Sequence, residues 1–325
     1  MNSTVGSSMT HTEDLVSLSL TFPWYHVQRS CLIPGIPDNV TTLLTPVVLY
    51  WIVSLAFHLL DISGWDWLEQ YRVQPSAEIL KKNLATKGEV VAAVMKMQIM
   101  QSTFGYLWAY FLGNDQGMPN YVVEMREMGA LVTRWLIKAV GEDRAAQIMT
   151  EYGSQLTYYA YWWGAPLVQL ALGMFILDTY QYFVHRALHD VPFLYKHLHS
   201  VHHRLYVPYA YGSQYNHPFE GAIVDGLSAT LAATFAGLSE RQSVVLFAIA
   251  TYKGIEDHCG YQFPWHPLRF LTTNDTEFHE IHHQVAGLKS NFSQPLFTFW
   301  DRALGTYMTM EQLEAKKGRP KMKQL

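Results

Sequence analysis

The sequence predicts an all-α fold: a polytopic membrane helical bundle with a histidine-rich cap outside the lipid that holds a pair of metals. Three observations predict it. Long stretches carry no Asp, Glu, Lys or Arg, their edges are crowded with Trp and Tyr, and twelve of the fifteen histidines fall between His185 and His283. Stretches of about 18–20 apolar residues are long enough to cross a bilayer as helices, and amphipathic aromatic rings favour the headgroup level. Across 325 residues, 49% are apolar and only 15% charged, against about 25% charged in an average soluble protein. Mean hydropathy is near zero, so a substantial polar part must sit outside the membrane.

The elements follow in chain order. Residues 1–38 read as a loose N-terminal arm: Ser/Thr-rich, with Glu13 and Asp14, and without the basic-then-apolar order of a secretory signal. Asn39–Leu60 is a first charge-free span of 22 residues, Met97–Asn114 a second of 18, and Tyr152–Leu177 a third of 26. Trp65, Trp67 and the run Tyr158–Trp163 mark edges. Residues 61–90 and 115–152 are mixed and charged and read as helices, with Glu78, Lys81, Lys82 and Lys87 on one such face. Phe219–Leu238 and Gln242–Ile255, parted by Ser239, Glu240 and Arg241, read as a helical hairpin that enters the membrane and returns. The expected organisation is therefore an arm (1–38), N-terminal spans with connecting helices (39–154), a catalytic domain (155–310) and a basic tail (311–325). A net charge of −4 gives no broad cationic surface for nucleic acid. Cys31 and Cys259 are too few for a disulfide framework or an iron–sulfur cluster.

The histidines fall into three helical groups. HRALH supplies His185 and His189, HSVHH supplies His199, His202 and His203, and HEIHH supplies His279, His282 and His283. Residues three and four apart share a helix face, so each group can aim imidazoles at one spot. Neutral imidazole suits iron, zinc and copper. Eight such residues exceed the three or four protein ligands of one zinc, and a pair of metals accounts for them better. His217 and His258, flanking the hairpin, are added as candidate ligands, making ten. Asp178 continues the face of Gln181, His185 and His189 and is a candidate acceptor for the far N–H of a ligand imidazole. His58, His197 and His266 read as ordinary residues.

Other chemistries use the same residues. H-E-x-x-H at His279, Glu280 and His283 matches a zinc metalloprotease, but leaves five grouped histidines unexplained. A carboxylate-rich di-iron site needs two Glu-x-x-His motifs, and only Glu280–His283 fits. A histidine-lined membrane metal transporter is the non-enzyme alternative. It needs ionisable residues along the spans, which offer little beyond His58.

The order HxxxH, HxxHH, HxxHH among membrane spans resembles the fatty acid hydroxylase and sterol desaturase superfamily over residues 155–310. HLHSVHHRLYVPYAYGSQYNHPFEG (197–221) and EDHCGYQFPWHP (256–267) are similar to its sphingoid-base C4-hydroxylases. That resemblance implies hydroxylation at C4 of sphinganine or dihydroceramide by two non-haem irons, with O2 as co-substrate. Sterol C5-desaturases and C4-methyl oxidases share the histidine frame and are the alternatives. Electrons are expected from NAD(P)H through a separate cytochrome b5 and its reductase, since no HPGG haem motif occurs here. Lys321 and Lys323 resemble a K-x-K-x-x retrieval signal of the endoplasmic reticulum, and the basic tail favours the cytosolic side. The histidines and the C-terminus are then cytosolic; three full spans would place the Asn2–Ser3–Thr4 sequon in the lumen.

Overall fold

The computed structural model describes residues 21–73, 81–112 and 120–318. The sequon at Asn2, the face residue Glu78, and Lys321 and Lys323 lie outside them. Among the described residues the regular structure is helical; no strand forms beyond the isolated bridges Ile33–Ile36 and Arg72–Tyr261. The chain divides into two units, Met1–Pro37 with Gly113–Ala171, and Asp38–Leu112 with Leu172–Leu325.

In the larger unit, α1 (Asp38–Ile62) and α2 (Lys87–Leu112) precede the histidine region. A long helix α5 (Ala165–Asp190) brings the chain back into it. It continues through α6 (Pro192–His197), 3-10 turns at His199–Arg204 and Ala210–Gln214, and a one-turn helix at Pro218–Gly221. The segment 219–255, expected as a hairpin, holds a π turn Ala222–Leu227, α7 (Ser228–Ala236) and α8 (Glu240–His258) joined by a short turn. Its turn has two local causes. Gly237 adopts φ +63°, a conformation costly for residues with a Cβ, and Ser239 with Gln242 forms a capping box that starts α8. Short helices α9 (Thr276–His283), α10 (Phe299–Leu304) and α11 (Met310–Lys316) complete the unit.

α1 lies along α8, pinned at one end by Asp38–Arg241 at 2.8 Å and by Thr42 donating to Glu240 at 2.9 Å. Further along, Tyr50 donates to the Tyr211 carbonyl at 2.7 Å. Tyr50, Phe57, Val90, Val94, Leu205, Tyr215, Ile255 and Tyr261 share one buried cluster beside the histidine region. The outward face of α1 is unlike that of a water-soluble helix. Val48, Ile52, Leu55, Leu59 and Ile62 are exposed, while Thr41, Thr42 and Ser54 are buried. On α2, Ile99, Phe104, Trp108 and Phe111 face outward and Gln98 is buried.

The smaller unit holds α3 (Tyr121–Val140) and α4 (Glu142–Tyr159), joined at Gly141 with φ +83°. Asn120 caps α3 by accepting from Val123 N–H, and Tyr161 donates to Glu124 at 2.5 Å. A π turn, Ala160–Gly164, carries α4 into the start of α5. Among the described residues two runs are long and apolar enough to cross a membrane, Asp38–Ile62 and the continuous Glu142–Asp190. They coincide with the first and third expected spans. The second expected span is the C-terminal part of α2. Its described part, Met97–Leu112, follows Lys87, Glu89 and Lys96 on the same helix, and residues 113 and 114 lie outside the described residues.

Candidate metal centre

Four elements deliver the imidazoles. α5 carries His185 and His189 one turn apart, the 3-10 turn supplies His199, His202 and His203, α8 ends on His258, and α9 carries His279, His282 and His283. Asp275 starts α9 by accepting from Phe278 N–H at 2.8 Å. α9 is then fixed by Gly287, where any Cβ would overlap the Ile281 carbonyl oxygen.

Nine of the ten expected ligands converge, in two groups. His185, His189, His199, His203 and His282 form one, and His202, His258, His279 and His283 the other. Within each group the ligating atoms all lie within 4.8 Å of one another. The groups abut: the rings of His203 and His283 are 4.8 Å apart, centroid to centroid. Each HxxHH motif therefore serves both groups instead of one. In the 3-10 turn His199 and His203 join one group and His202 the other. On α9 neighbouring residues point about 100° apart, which sends His279 and His283 to one group and His282 to the other.

The ring nitrogens explain what the groups are for. His185 Nδ1–H donates to Phe292 O at 2.7 Å, His282 to Ser290 O at 2.8 Å, His202 to Tyr215 O at 3.2 Å, His258 to Gly254 O at 2.7 Å and His283 to Leu205 O at 2.8 Å. A carbonyl can only accept, which places the proton on Nδ1 and leaves a lone pair on each Nε2. His199 is fixed likewise, its Nδ1–H directed at Glu220. Nε2 atoms with lone pairs therefore face each other in both groups, His185 and His199 at 3.0 Å and His202 and His258 at 3.4 Å, with His203 and His279 Nε2 close beside them. His282 Nε2 is buried without a hydrogen-bond partner. Lone pairs facing each other in a buried site repel unless a cation lies among them, so the donor set fits a metal ion in each group. Burial, first, and neighbouring imidazoles hold the rings neutral. They push His199, His203, His279 and His283 well below the usual histidine range, and burial lowers His202 to about 4 and His282 to about 3.

Two expected residues are placed differently. Asp178 is buried but touches no imidazole: its carboxylate accepts from Leu296 N–H at 2.8 Å and Phe297 N–H at 3.2 Å. Asp301 does the same for Phe292 N–H at 3.0 Å and Ser293 N–H at 2.7 Å. Together they fix the segment whose Ser290 and Phe292 carbonyls orient His282 and His185. The need Asp178 was expected to serve is met by those carbonyls. His217 joins neither group. It is the N-cap of the turn Pro218–Gly221, its Nδ1 accepting from Phe219 N–H at 3.2 Å. His217→Asn, which can cap equally, should retain metal and stability. His217→Ala should cost about 1 kcal/mol of stability with metal content unchanged; metal analysis and thermal melts of both variants check this, and equal metal loss in both would make His217 a ligand.

One partner was not legible in advance. Glu220 accepts from His199 Nδ1–H at 2.5 Å, both side chains being buried. The two lie 21 residues apart, with no shared periodicity to join them.

The fatty acid hydroxylase model matches residues 170–306, which contain all nine clustered histidines. The chain is 37% identical to the sphingolipid C4-hydroxylase of Saccharomyces cerevisiae, over 90% of this chain and 78% of that protein. It is 39% identical to the sphingolipid C4-hydroxylase of Schizosaccharomyces pombe, over 82% and 87%, and 36% identical to sphinganine C4-monooxygenase 1 of Arabidopsis thaliana, over 84% and 89%. No solved structure matches it. With that coverage and a histidine frame of this geometry, the chain belongs to the fatty acid hydroxylase family.

Proposed function

We propose that the protein is a membrane-bound, two-iron monooxygenase that hydroxylates C4 of sphinganine or dihydroceramide, giving phytosphingosine-type lipids. The observation that carries the chemistry is the pair of abutting, buried, all-imidazole groups. The substrate class is supported by the relatives' names. Bound there, the two irons supply dioxygen activation, which an unactivated CH2 requires because no side chain can deprotonate it. The chain's own residues do the rest. Nine imidazoles hold the ions, backbone carbonyls and Glu220 orient the rings, and burial keeps bulk water from the reacting carbon.

The outward apolar faces of α1 and α2 support a lipid surrounding, because apolar area left in water costs about 25 cal/mol per Å² and none in hydrocarbon. A polytopic bundle in the endoplasmic reticulum, with the histidines and C-terminus cytosolic, accords with those faces and with the lysines of the tail. NAD(P)H, through a separate cytochrome b5 and its reductase, is the proposed electron source. The long saturated substrate chain belongs among the spans, shielded from water.

The test is expression in a host lacking 4-hydroxylated long-chain bases, fed both sphinganine and sterols. Accumulation of 4-hydroxysphinganine is the expected outcome. Oxygen gained by sterols alone, or a new 4,5 double bond, would place the chain with the sterol oxidases or desaturases instead.

A further inference from the structure

The two imidazole groups are not equivalent, and the difference lies in one carboxylate. Five of the nine rings direct Nδ1–H at a neutral backbone carbonyl, and the Nδ1 atoms of His203 and His279 have no partner. His199 alone directs its Nδ1–H at a carboxyl group, that of Glu220. Among the described residues no other carboxylate lies on a ring nitrogen of the nine. His199 is also central in its group, its Nε2 lying 3.0 Å from that of His185 and 3.1 Å from that of His203.

Glu220 is held in place from three sides. His217 caps the turn that carries it, Gln101 donates to the Gly221 carbonyl at 2.9 Å, and Gly221 packs so closely on Met97 that a Cβ there would strike the sulfur. Its second oxygen is buried without a partner, so the carboxylate is committed to His199. A carboxylate on the far nitrogen of a metal-bound imidazole draws the Nδ1 proton toward itself and makes Nε2 a stronger donor.

We infer that Glu220 is a positioning residue that makes the two metal positions unequal. It strengthens retention of the ion in the five-histidine group and stabilises that ion's higher oxidation state relative to its neighbour's. The capping role of His217 serves the same end, by setting the turn from which Glu220 reaches His199. This inference rests on the two-metal reading above.

The experiment loads the purified full chain with 57Fe(II) and compares the parent with Glu220→Gln, which keeps the shape and an acceptor but removes the charge. Mössbauer spectra and release of iron to a ferrous chelator are recorded. The parent should hold two irons with distinct quadrupole doublets. In Glu220→Gln one doublet should shift and one iron should leave roughly 10–100-fold faster, with the other doublet and rate unchanged. Glu220→Asp retains the charge with a shorter reach, and should shift the same doublet by less; it provides the comparison if the Gln variant folds poorly. Unchanged doublets and rates in both variants, or equal acceleration of both irons, would overturn the inference while leaving the two-iron reading intact. A parent that binds fewer than two irons would instead overturn that reading.

Discussion

Replacing His199 by Ala is expected to abolish turnover and empty at least one metal position, whereas His58→Ala leaves both near the parent level. Losing a group that merely orients a metal-bound imidazole costs about 10–100-fold, and losing the central imidazole of a five-histidine group costs more. The freed Nε2 atoms of His185 and His203 would then face each other across a vacated volume. His185→Ala, His189→Ala, His203→Ala, His279→Ala and His283→Ala should behave alike. His58 sits on α1, where its ring packs 5.7 Å from that of Tyr211, so its removal forfeits a contact and no ligand. Iron content and product formation, measured on the same preparations, check the contrast. Activity retained in His199→Ala would remove it from the centre.

The second large effect is expected at a residue that touches no histidine. Asp301 is fully buried and accepts from the amides of Phe292 and Ser293 and from the Thr306 hydroxyl at 2.5 Å. Asp301→Ala leaves two buried amides without acceptors, at about 1–3 kcal/mol each. The Phe292 carbonyl that orients His185 loses its footing at the same time. Asp301→Asn should be nearly as damaging, because an NH2 cannot accept from an amide. For a chain of this size each kcal/mol lowers Tm by roughly 1.5 °C, so thermal melts should fall by several degrees and iron retention should fall with them. A melt unchanged in both variants would mean that the segment is held otherwise.

How much of this was legible in the sequence follows from what each interaction is made of. Helical spacing of side chains is written in the sequence, and the histidines of HxxxH and HxxHH do converge. The split of HEIHH across two groups follows from α-helical spacing, since adjacent residues there cannot share a face, whereas HSVHH folds as a 3-10 turn whose split that spacing does not give. Spans appear where charge is absent. Asn39–Leu60 and Tyr152–Leu177 lie within long apolar helices, while the described part of the second span, Met97–Leu112, is the end of a helix begun by Lys87 and Glu89. The acceptors that orient the imidazoles are carbonyls of Leu205, Tyr215, Gly254, Ser290 and Phe292. Every residue has a carbonyl, so no residue type announces this role. Asp178 stood out on the correct helix face, yet its partners are amides of Leu296 and Phe297, more than a hundred positions away. His217 was a candidate for its place beside the expected hairpin, whereas Pro218 immediately after it is the signature of a helix N-terminus.

The most direct test supplies 18O2 to membranes containing the expressed chain, with sphinganine and NAD(P)H, and analyses the long-chain bases by mass spectrometry. One 18O atom at C4 of the product, absent from the His199→Ala control, is the result expected of a metal-centred monooxygenase. A C4 hydroxyl carrying oxygen from water, or equal labelling in the control, would contradict it.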